Sequence, residues 1–344
     1  MRVNFTRETL MQLNIASGGG KITRRTVLGV AASIAAAPAM AEECRVGPPT
    51  HHKGQPVFMD YDQVELDASY DQEVYEPLIG QVGKRLASNS ASVRARIGMP
   101  QRVAYGPTET EKLDVFRTRR AKAPIFVFIH GGNWLVGSAE ASCYAAEMFV
   151  NAGAHFIALD FINAKDAGGD LGVMADQVRR AIAWVYKNAA SFDGDPGRLY
   201  IGGHSSGGHL CGVALVTDWQ NDFGLPADAI KGGLCMSGMF EMAPVRLSWR
   251  RTYVNFTDAM ADAMSSQRHI QKLYAPVVVT YGTFETPDFQ RQSRDFASAV
   301  RAAGKASELI EAPNYAHLEM AESLGNPYGP NGRAALALMK LAPA

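Results

Sequence analysis

The stretch RLYIGGHSSGGHL, residues 198–210, decides the fold of this chain. It opens with a β-rich run that predicts a buried strand, and residues 208–217 then predict a helix. Between the two lies a Gly-x-Ser-x-Gly pattern with Ser205 at its centre. A serine on such a strand-to-helix turn exposes its hydroxyl at the carboxyl edge of a sheet, where a nucleophile is needed. We therefore predict that Ser205 is the nucleophile and that Ser206 is displaced from the apex of the turn.

β-rich runs extend from this turn towards both ends of the chain. The eight runs are residues 102–106, 112–117, 124–130, 155–161, 198–203, 230–236, 276–282 and 307–312. Helical patterns lie between many of them: one at 174–189, one directly after Ser205, and one at 288–303 that should stop at Gly304. Residues 193–196 predict a turn. This alternation predicts the α/β class, with an eight-stranded, mostly parallel sheet and helices on both of its faces.

The residues that precede the first predicted strand should cover the main domain. Between 61 and 86, apolar residues recur at mixed helical spacing, which predicts packed helices. Residues 42–59 are rich in Pro, Gly and His and predict a linker or extended arm, in which we interpret His51 and His52 as solvated. We predict a single catalytic domain over 60–344, with helical covering segments.

A catalytic serine needs a base, and in this type of site the chain order is Ser, acid, His. Two histidines follow the turn by a long interval, His269 and His317. His317 lies in a loop after the last predicted strand, whereas His269 precedes the penultimate strand, in a part of the chain that should cover the site. We predict that His317 is the base. The histidines next to the site motifs are predicted to order local backbone: His130, His204 and His209.

The base in turn needs a carboxylate that orients it and stabilises its charged form. The strand at 276–282 is followed by Thr-Phe-Glu-Thr-Pro-Asp, which offers Glu285 and Asp288. Glu285 lies three residues after the glycine that ends the strand, where the acid usually falls. Asp288 precedes a predicted helix and could instead cap its N-terminus. We favour Glu285 and keep Asp288 as the alternative acid.

A second glycine motif, His-Gly-Gly-Asn-Trp at 130–134, follows the apolar strand at 125–129. Strand ends in this position supply backbone N–H groups to a developing oxyanion. We predict that the oxyanion hole is formed by Gly131, Gly132, Asn133 and Ser206. Three further side chains near these motifs are candidates for the substrate pocket: Trp134, His204 and Tyr315.

Composition narrows the choice of partners. The chain has 344 residues, and its 34 basic and 34 acidic side chains give no net charge that would favour nucleic acid or an anionic membrane. The partner should be a small, weakly charged molecule. The cysteines are far apart, without the spacing of a metal site or a disulfide scaffold, although an oxidising compartment would allow a single disulfide. They are Cys44, Cys143, Cys211 and Cys235.

The N-terminal residues predict export. Arg24 and Arg25 precede an uncharged stretch at 29–37, and Ala-Met-Ala at 39–41 fits a signal peptidase site. The apolar stretch is well under the roughly 20 residues needed to span a bilayer. We predict a twin-arginine (Tat) signal peptide over 1–41, recognition by the Tat translocon, and a periplasmic or secreted mature protein without membrane insertion. An uncleaved anchor or a disordered tail is the alternative.

The motifs together resemble the arylformamidase (kynurenine formamidase) branch of the α/β-hydrolases, near the hormone-sensitive-lipase-like esterases. The resemblance lies in HGGNW at 130–134, QVRRAIAW at 177–184, GDPGRLYI at 194–201, GHSSGGHL at 203–210 and DFQRQS at 288–293. It implies the α/β-hydrolase fold and a serine hydrolase that cleaves aryl formamides or small carboxylic esters through an acyl-enzyme. It also implies that no metal and no organic cofactor takes part.

Some features depart from that family. Its well-known members are cytosolic, many have Asp where this chain offers Glu285, and residues 162–168 lack the Tyr-Arg-Leu-like run of ordinary esterases of the wider group. The substrate is therefore left open between a small ester and an amide. Three alternatives stay beside the exported hydrolase: a transacylase on the same triad, a cytosolic-type N-formylkynurenine formamidase, and a silent binding protein.

Overall fold

The computed structural model of the protein describes residues 46–343. The predicted signal peptide at 1–41 and Cys44 lie outside the described residues. Over the described range, every helix is too short or too polar to cross a membrane.

Eight strands in the described residues form one sheet with the order β1-β2-β4-β3-β5-β6-β7-β8. The first two strands run antiparallel to their neighbours, and all other neighbouring pairs are parallel. The strands are β1 Gln101–Ala104, β2 Lys112–Phe116, β3 Ala123–Ile129, β4 His155–Leu159, β5 Gly194–His204, β6 Gly232–Met236, β7 Val277–Gly282 and β8 Ser307–Ala312. The prediction of an eight-stranded, mostly parallel sheet is confirmed.

Helices cover both faces of this sheet. The described α-helices are α1 Gln63–Ser69, α2 Ile79–Ile97, α3 Ala146–Asn151, α4 Leu171–Asn188, α5 Ser206–Leu215, α6 Trp219–Phe223, α7 Met242–Val245, α8 Asp258–Ala263, α9 Pro287–Ala302, α10 His317–Ser323 and α11 Pro330–Leu338. Short 3-10 helices are Gln72–Val74, Glu140–Ala145, Ala189–Phe192, Trp249–Thr252 and Ser266–Lys272. Gly304 has φ +71° and follows the last turn of α9, as predicted for its C-terminal stop.

The core lies on both sides of the central strands. Because side chains alternate along a strand, Ile125 and Val127 of β3 join the apolar cluster on one face, whereas Phe126 and Phe128 join the cluster on the other. All four are buried. This two-sided burial explains why β3 is an unbroken apolar run and why its carboxyl end, which leads into the second glycine motif, is rigidly placed.

The turn predicted at 193–196 overlaps the start of β5. Only Asp193 is left-handed, with φ +60°, and β5 begins at the next residue. Gly194 pairs with Ala123 of β3, and a Cβ on it would lie 2.8 Å from Ile125. The missing side chain lets Gly194 approach β3 closely, and the register then shifts, so that the next residue of β5 to pair with β3 is Leu199, opposite Ile125. The sequence pattern could not distinguish this close approach from an ordinary turn.

The N-terminal cover consists of α1, the 3-10 helix Gln72–Val74 and α2, as the mixed helical spacing predicted. Asp62 caps α1 through the Glu65 N–H and also accepts from the Gly54 N–H at 2.7 Å. His51 Nε2 donates to the same carboxylate at 2.8 Å, so our interpretation of His51 as a solvated linker residue is wrong. Asp62 therefore ties this part of the arm to the folded body.

The described cysteines are buried and free. The sulfur atoms of Cys211 in α5 and Cys235 in β6 lie 3.8 Å apart as thiols.

Candidate active site

Ser205 lies on the sharp turn between β5 and α5. Its φ of 57° and ψ of −123° are a strained conformation for a residue with a side chain, and its N–H donates to Met236 O at 2.9 Å. The flanking glycines make the turn possible. A Cβ on Gly203 would lie 2.1 Å from Gly207 O, and a Cβ on Gly207 would lie 2.1 Å from Ile129 O. The motif is therefore required by the close packing of strand, turn and helix, as the sequence predicted.

The structure brings Glu285 and His317 together. Glu285 lies three residues after the end of β7, and His317 is the first residue of α10. His317 Nδ1 donates to Glu285 Oε2 at 2.9 Å. The other carboxylate oxygen, Oε1, accepts from Ser237 Oγ at 2.6 Å and from Gly282 N–H at 2.7 Å. Both oxygens of this buried carboxylate are thus held in place, and one of them faces the imidazole.

Burial shifts both groups towards their neutral forms. It raises the pKa of Glu285 to about 7, while the hydrogen bonds from Ser237 and Gly282 act in the opposite direction. It lowers the pKa of His317 to about 3, and the positive charge of Arg250 adds to that effect. A neutral His317 with its Nδ1 proton bound to a carboxylate leaves Nε2 free to accept a proton.

Asp288 lies elsewhere. The helix cap is Thr286, with Pro287 as the first helical residue, so the expectation that Asp288 caps α9 is wrong. Its carboxylate is fully buried and accepts from Tyr70 OH, from Arg291 Nε at 2.6 Å and from Gln292 Nε2 at 3.3 Å. It makes no hydrogen bond with His317. Asp288 thus joins α9 to the N-terminal cover, and the carboxylate that contacts the His317 imidazole is that of Glu285.

Ser205 and His317 line one cavity of about 370 Å³, which we call the catalytic cavity. Among the described residues, no hydrogen bond links the Ser205 hydroxyl to the His317 ring; in unliganded sites such contacts are often long. His204 also lines the cavity, and its Nε2 donates to His317 O at 2.9 Å. His204 therefore supports the backbone of His317, in agreement with the prediction that it orders its surroundings.

The second glycine motif borders the nucleophile directly. A Cβ on Gly131 would lie 2.7 Å from His204 O and 3.0 Å from Ser205 Cβ, so only glycine allows this approach. The N–H groups of Gly131, Gly132 and Asn133 donate to no acceptor within the described part of the protein. These three residues line the catalytic cavity, together with Ser205. These are the donors that an oxyanion would need.

Ser206 contributes to the same region in two ways. It is the first residue of α5, and the first N–H groups of a helix have no partner within the helix. Its hydroxyl accepts from the Trp134 N–H at 3.2 Å and is buried. The side chain of Ser206 therefore fixes the end of the glycine motif beside Ser205, although Ser206 itself is not among the residues that line the catalytic cavity.

Arg250 supports the loop at 131–133, and no pattern in the sequence indicated this contact. The guanidinium is fully buried, donates to Asn133 Oδ1 at 2.8 Å and lies over the Trp134 ring at 5.1 Å from its centre. The Tyr253 hydroxyl donates to Asn133 O at 3.1 Å. Asn133 is thus fixed through both its side chain and its backbone, in a left-handed conformation with φ 57°.

Two predicted pocket residues do not line the catalytic cavity. Trp134 is buried beside α5, where its Nε1 donates to His209 Nδ1 at 3.2 Å. Tyr315 lies outside the cavity and accepts from the Phe284 N–H through its backbone carbonyl. His269, the alternative base, donates to Asp262 O at 3.0 Å on the outside of the protein.

A carboxylate from the N-terminal cover holds the turn that carries His317. Glu76 Oε2 accepts from the Leu318 N–H at 2.9 Å, at the first turn of α10. Burial raises the pKa of Glu76 to about 7. Sequence reasoning missed this residue, as it missed Ser237 and the cavity-lining Gln72. For Ser237 a signal existed, since it directly follows β6 at the carboxyl edge of the sheet.

Comparison with known proteins agrees with this architecture. Residues 113–232, which include both glycine motifs, match the family model BD-FAE. The chain is 30% identical over 279 residues to a kynurenine formamidase of Salmo salar, across 77% of this chain and 92% of that relative. It is 27% identical over 242 residues to the esterase LipC of Mycobacterium tuberculosis, across 63% of this chain and 59% of the relative.

A solved structure supports the fold. The carboxylesterase EstE1, cloned from a metagenomic library, superposes with a TM-score of 0.61 at 18% identity, covering 77% of this chain and 95% of EstE1. At this identity the likeness concerns the fold alone.

Proposed function

Because this chain belongs to the kynurenine formamidase family of α/β-hydrolases and is a hydrolase of the esterase or formamidase type, we propose that it cleaves its substrate through an acyl-enzyme on Ser205. The observation that carries the proposal is the buried hydrogen bond of 2.9 Å between His317 Nδ1 and Glu285 Oε2, beside a serine on a strained turn. Loss of any of the three side chains should remove turnover.

In the first half of the proposed reaction, Ser205 Oγ attacks the carbonyl carbon and its proton passes to His317 Nε2. Glu285 stabilises the imidazolium that forms. The carbonyl oxygen becomes an oxyanion and accepts from the N–H groups of the 131–133 loop and of Ser206. As the tetrahedral intermediate collapses, the bond to the alcohol or amine breaks and His317 returns the proton to that leaving group.

In the second half, water attacks the acyl-enzyme while His317 takes its proton. Collapse of the second tetrahedral intermediate releases the carboxylic acid and restores the Ser205 hydroxyl. The protein side chains needed for both halves are the same, and the proposal requires no metal and no organic cofactor. A transacylase would differ only in the acceptor, since an alcohol or amine would replace water at this step.

We propose a small, uncharged carboxylic ester or formamide as substrate. Of the residues that line the catalytic cavity in the described chain, none carries a carboxylate, ammonium or guanidinium group. A second candidate is N-formylkynurenine, which is favoured by the similarity to the formamidase of Salmo salar. Its zwitterionic amino-acid group would have to remain in solvent outside this cavity.

We further propose export by the Tat pathway and a periplasmic location. The proposal rests on the Arg24-Arg25 pair, the modest apolar stretch after it and the Ala-Met-Ala site.

The decisive experiment combines labelling with a substrate panel. Wild-type protein should react with a fluorophosphonate probe and hydrolyse short-chain p-nitrophenyl esters, and Ser205→Ala and His317→Ala should lose turnover while keeping their thermal stability. His269→Ala is the matched control, because within the described residues this half-buried histidine bonds to Asp262 of α8, and it should retain both activities. Probe labelling of Ser205→Ala at the wild-type rate would refute the assignment.

Turnover of N-formylkynurenine in the same panel decides between the two substrate candidates. A kcat/KM for N-formylkynurenine far above that for the neutral esters would favour the formamidase. A competing alcohol that diverts the acyl group into a new ester, rather than into acid, would identify a transacylase.

A further inference from the structure

The catalytic cavity contains a polar side chain without a partner. Gln72 lies in the 3-10 helix Gln72–Val74 of the N-terminal cover and is only 6% exposed. Its backbone carbonyl accepts from the N–H groups of Tyr75 and Glu76, so the backbone is fixed. Within the described residues, neither its Oε1 nor its Nε2 has a hydrogen-bond partner. Gln72 thus presents one free acceptor and a free donor in the cavity that holds Ser205 and His317.

Such a side chain is unusual in a folded protein. Most buried polar side-chain atoms have a partner, and exceptions require an explanation. An apolar residue of the same length would fill this position without leaving an amide unsatisfied. The structural role of Gln72 is therefore weak, whereas its position beside the nucleophile suits contact with a bound molecule.

The rest of the cavity wall limits what that molecule can be. The side of the cavity formed by α2 and the start of α10 is apolar, with Ile79, Leu86, Ala87 and Leu318. Gly83 adds space in this wall, since a Cβ on it would meet nothing closer than Leu318 at 3.8 Å. Together with the absence of charged lining residues noted above, this wall suits a neutral aryl or alkyl body.

We propose that Gln72 determines specificity by binding an amide-type group of the substrate. An amide offers one donor and one acceptor side by side, and so matches the two free functions of the glutamine side chain. The substrate class is then a neutral ester or formamide with an apolar body and a second, non-reacting amide or carbamoyl group. This inference rests on the proposed function, because it assumes that the cleaved bond lies at Ser205.

The test uses pairs of esters that differ only in hydrogen bonding. Phenyl acetates with a carbamoyl substituent are compared with phenyl acetates with an isopropyl substituent of similar size, and a second series carries the same groups on a benzoyl acyl part. Wild-type protein should prefer the carbamoyl member in at least one series. Gln72→Met should lower kcat/KM for that member by about 5- to 100-fold and leave the isopropyl member nearly unchanged.

Two controls separate specificity from structure. Gln72→Met should keep or raise Tm, because it removes an unpartnered buried amide. Gln81→Met makes the same replacement on an exposed position of α2 and should change neither substrate preference nor Tm. Equal loss on both esters with a lowered Tm, or unchanged preference in both series, would overturn the role of Gln72.

Failure of this inference is distinguishable from failure of the proposed function. Hydrolysis of the isopropyl esters by wild type, lost in Ser205→Ala, tests the nucleophile without reference to Gln72. If those esters are cleaved through Ser205 and Gln72→Met has no selective effect, only the inference is wrong. If wild type cleaves no ester of either series and Ser205 does not react with a fluorophosphonate, both are wrong.

Discussion

Replacing Glu285 by glutamine tests the proposed mechanism most directly, because the structure dictates how the new amide must lie. Oε1 accepts from two donors, the Ser237 hydroxyl and the Gly282 N–H. The amide oxygen of the variant must take that position, since an NH2 group there would face two donors. The amide nitrogen is then forced to the Oε2 position and points its hydrogen at His317 Nδ1.

This orientation predicts a large effect on rate. His317 Nδ1 would have to accept a hydrogen bond instead of donating one, which places the ring proton on Nε2. An imidazole with a proton on Nε2 cannot take the proton of Ser205, and the carboxylate that stabilises the imidazolium is also gone. Replacement of the acid by its amide in a comparable triad costs on the order of 10⁴ in kcat, and we expect a similar loss here. Stability should change by only about 1 kcal/mol, because the two donors on Oε1 keep an acceptor.

Steady-state kinetics with a p-nitrophenyl ester, together with thermal melts, measure both quantities. Asp288→Asn is the comparison, since it changes the other carboxylate of the same chain segment. We expect its turnover to be nearly normal and its stability to fall by about 1–3 kcal/mol, because a buried carboxylate that binds Tyr70, Arg291 and Gln292 is weakened. A large rate loss in Asp288→Asn with near-normal turnover in Glu285→Gln would refute the reasoning.

Two further predictions concern the same site, and a third concerns export. Gly131→Ala should lower kcat by about 10²- to 10³-fold, because its Cβ would press on His204 O and displace the oxyanion donors. Thermal melts should show that the variant is folded, and a normal kcat would exclude this loop as the donor. Arg250→Met should move the acid limb of the pH profile of kcat/KM to higher pH, because loss of the positive charge raises the pKa of His317. Arg250→Lys keeps the charge and should leave the acid limb in place. An unshifted profile for Arg250→Met would contradict this prediction. Joint change of Arg24 and Arg25 to Lys should retain the precursor in the cytoplasm, and unaltered periplasmic activity in cell fractions would rule out Tat export.

The strand ends of the sheet were predictable from the sequence, for a physical reason. The glycines that permit the tight turn lie two residues before and two residues after Ser205, so the nucleophile turn leaves a local pattern in the sequence. Gly131 leaves a second one, because it comes just after an apolar strand. Glu285 and His317 each follow a recognisable strand by a few residues. The structure brings these two side chains together, while their catalytic roles stay predictions.

The errors and omissions share a different cause. Asp288 looked like a helix cap because its neighbours in sequence suggest one, but its partner Tyr70 lies 218 positions away. Arg250 supports Asn133 across 117 positions, and its surroundings have no motif. Trp134 does not line the catalytic cavity, because its indole turns inward and donates to His209. Contacts of this kind depend on how distant segments pack, which no local pattern records.

The N-terminal cover makes several such long-range contacts. They suggest that the cover and the sheet contribute differently to the proposed function. Its Tyr70 reaches Asp288, its Glu76 holds the turn of His317, and its Gln72 lines the catalytic cavity. None of these contacts supplies an atom that reacts in the proposed mechanism, since the proposed nucleophile, base, acid and oxyanion donors all come from the sheet edge. The sheet can therefore keep one chemistry while the cover changes, and because the cover forms a wall of the cavity, we expect substrate choice to follow the cover rather than the sheet.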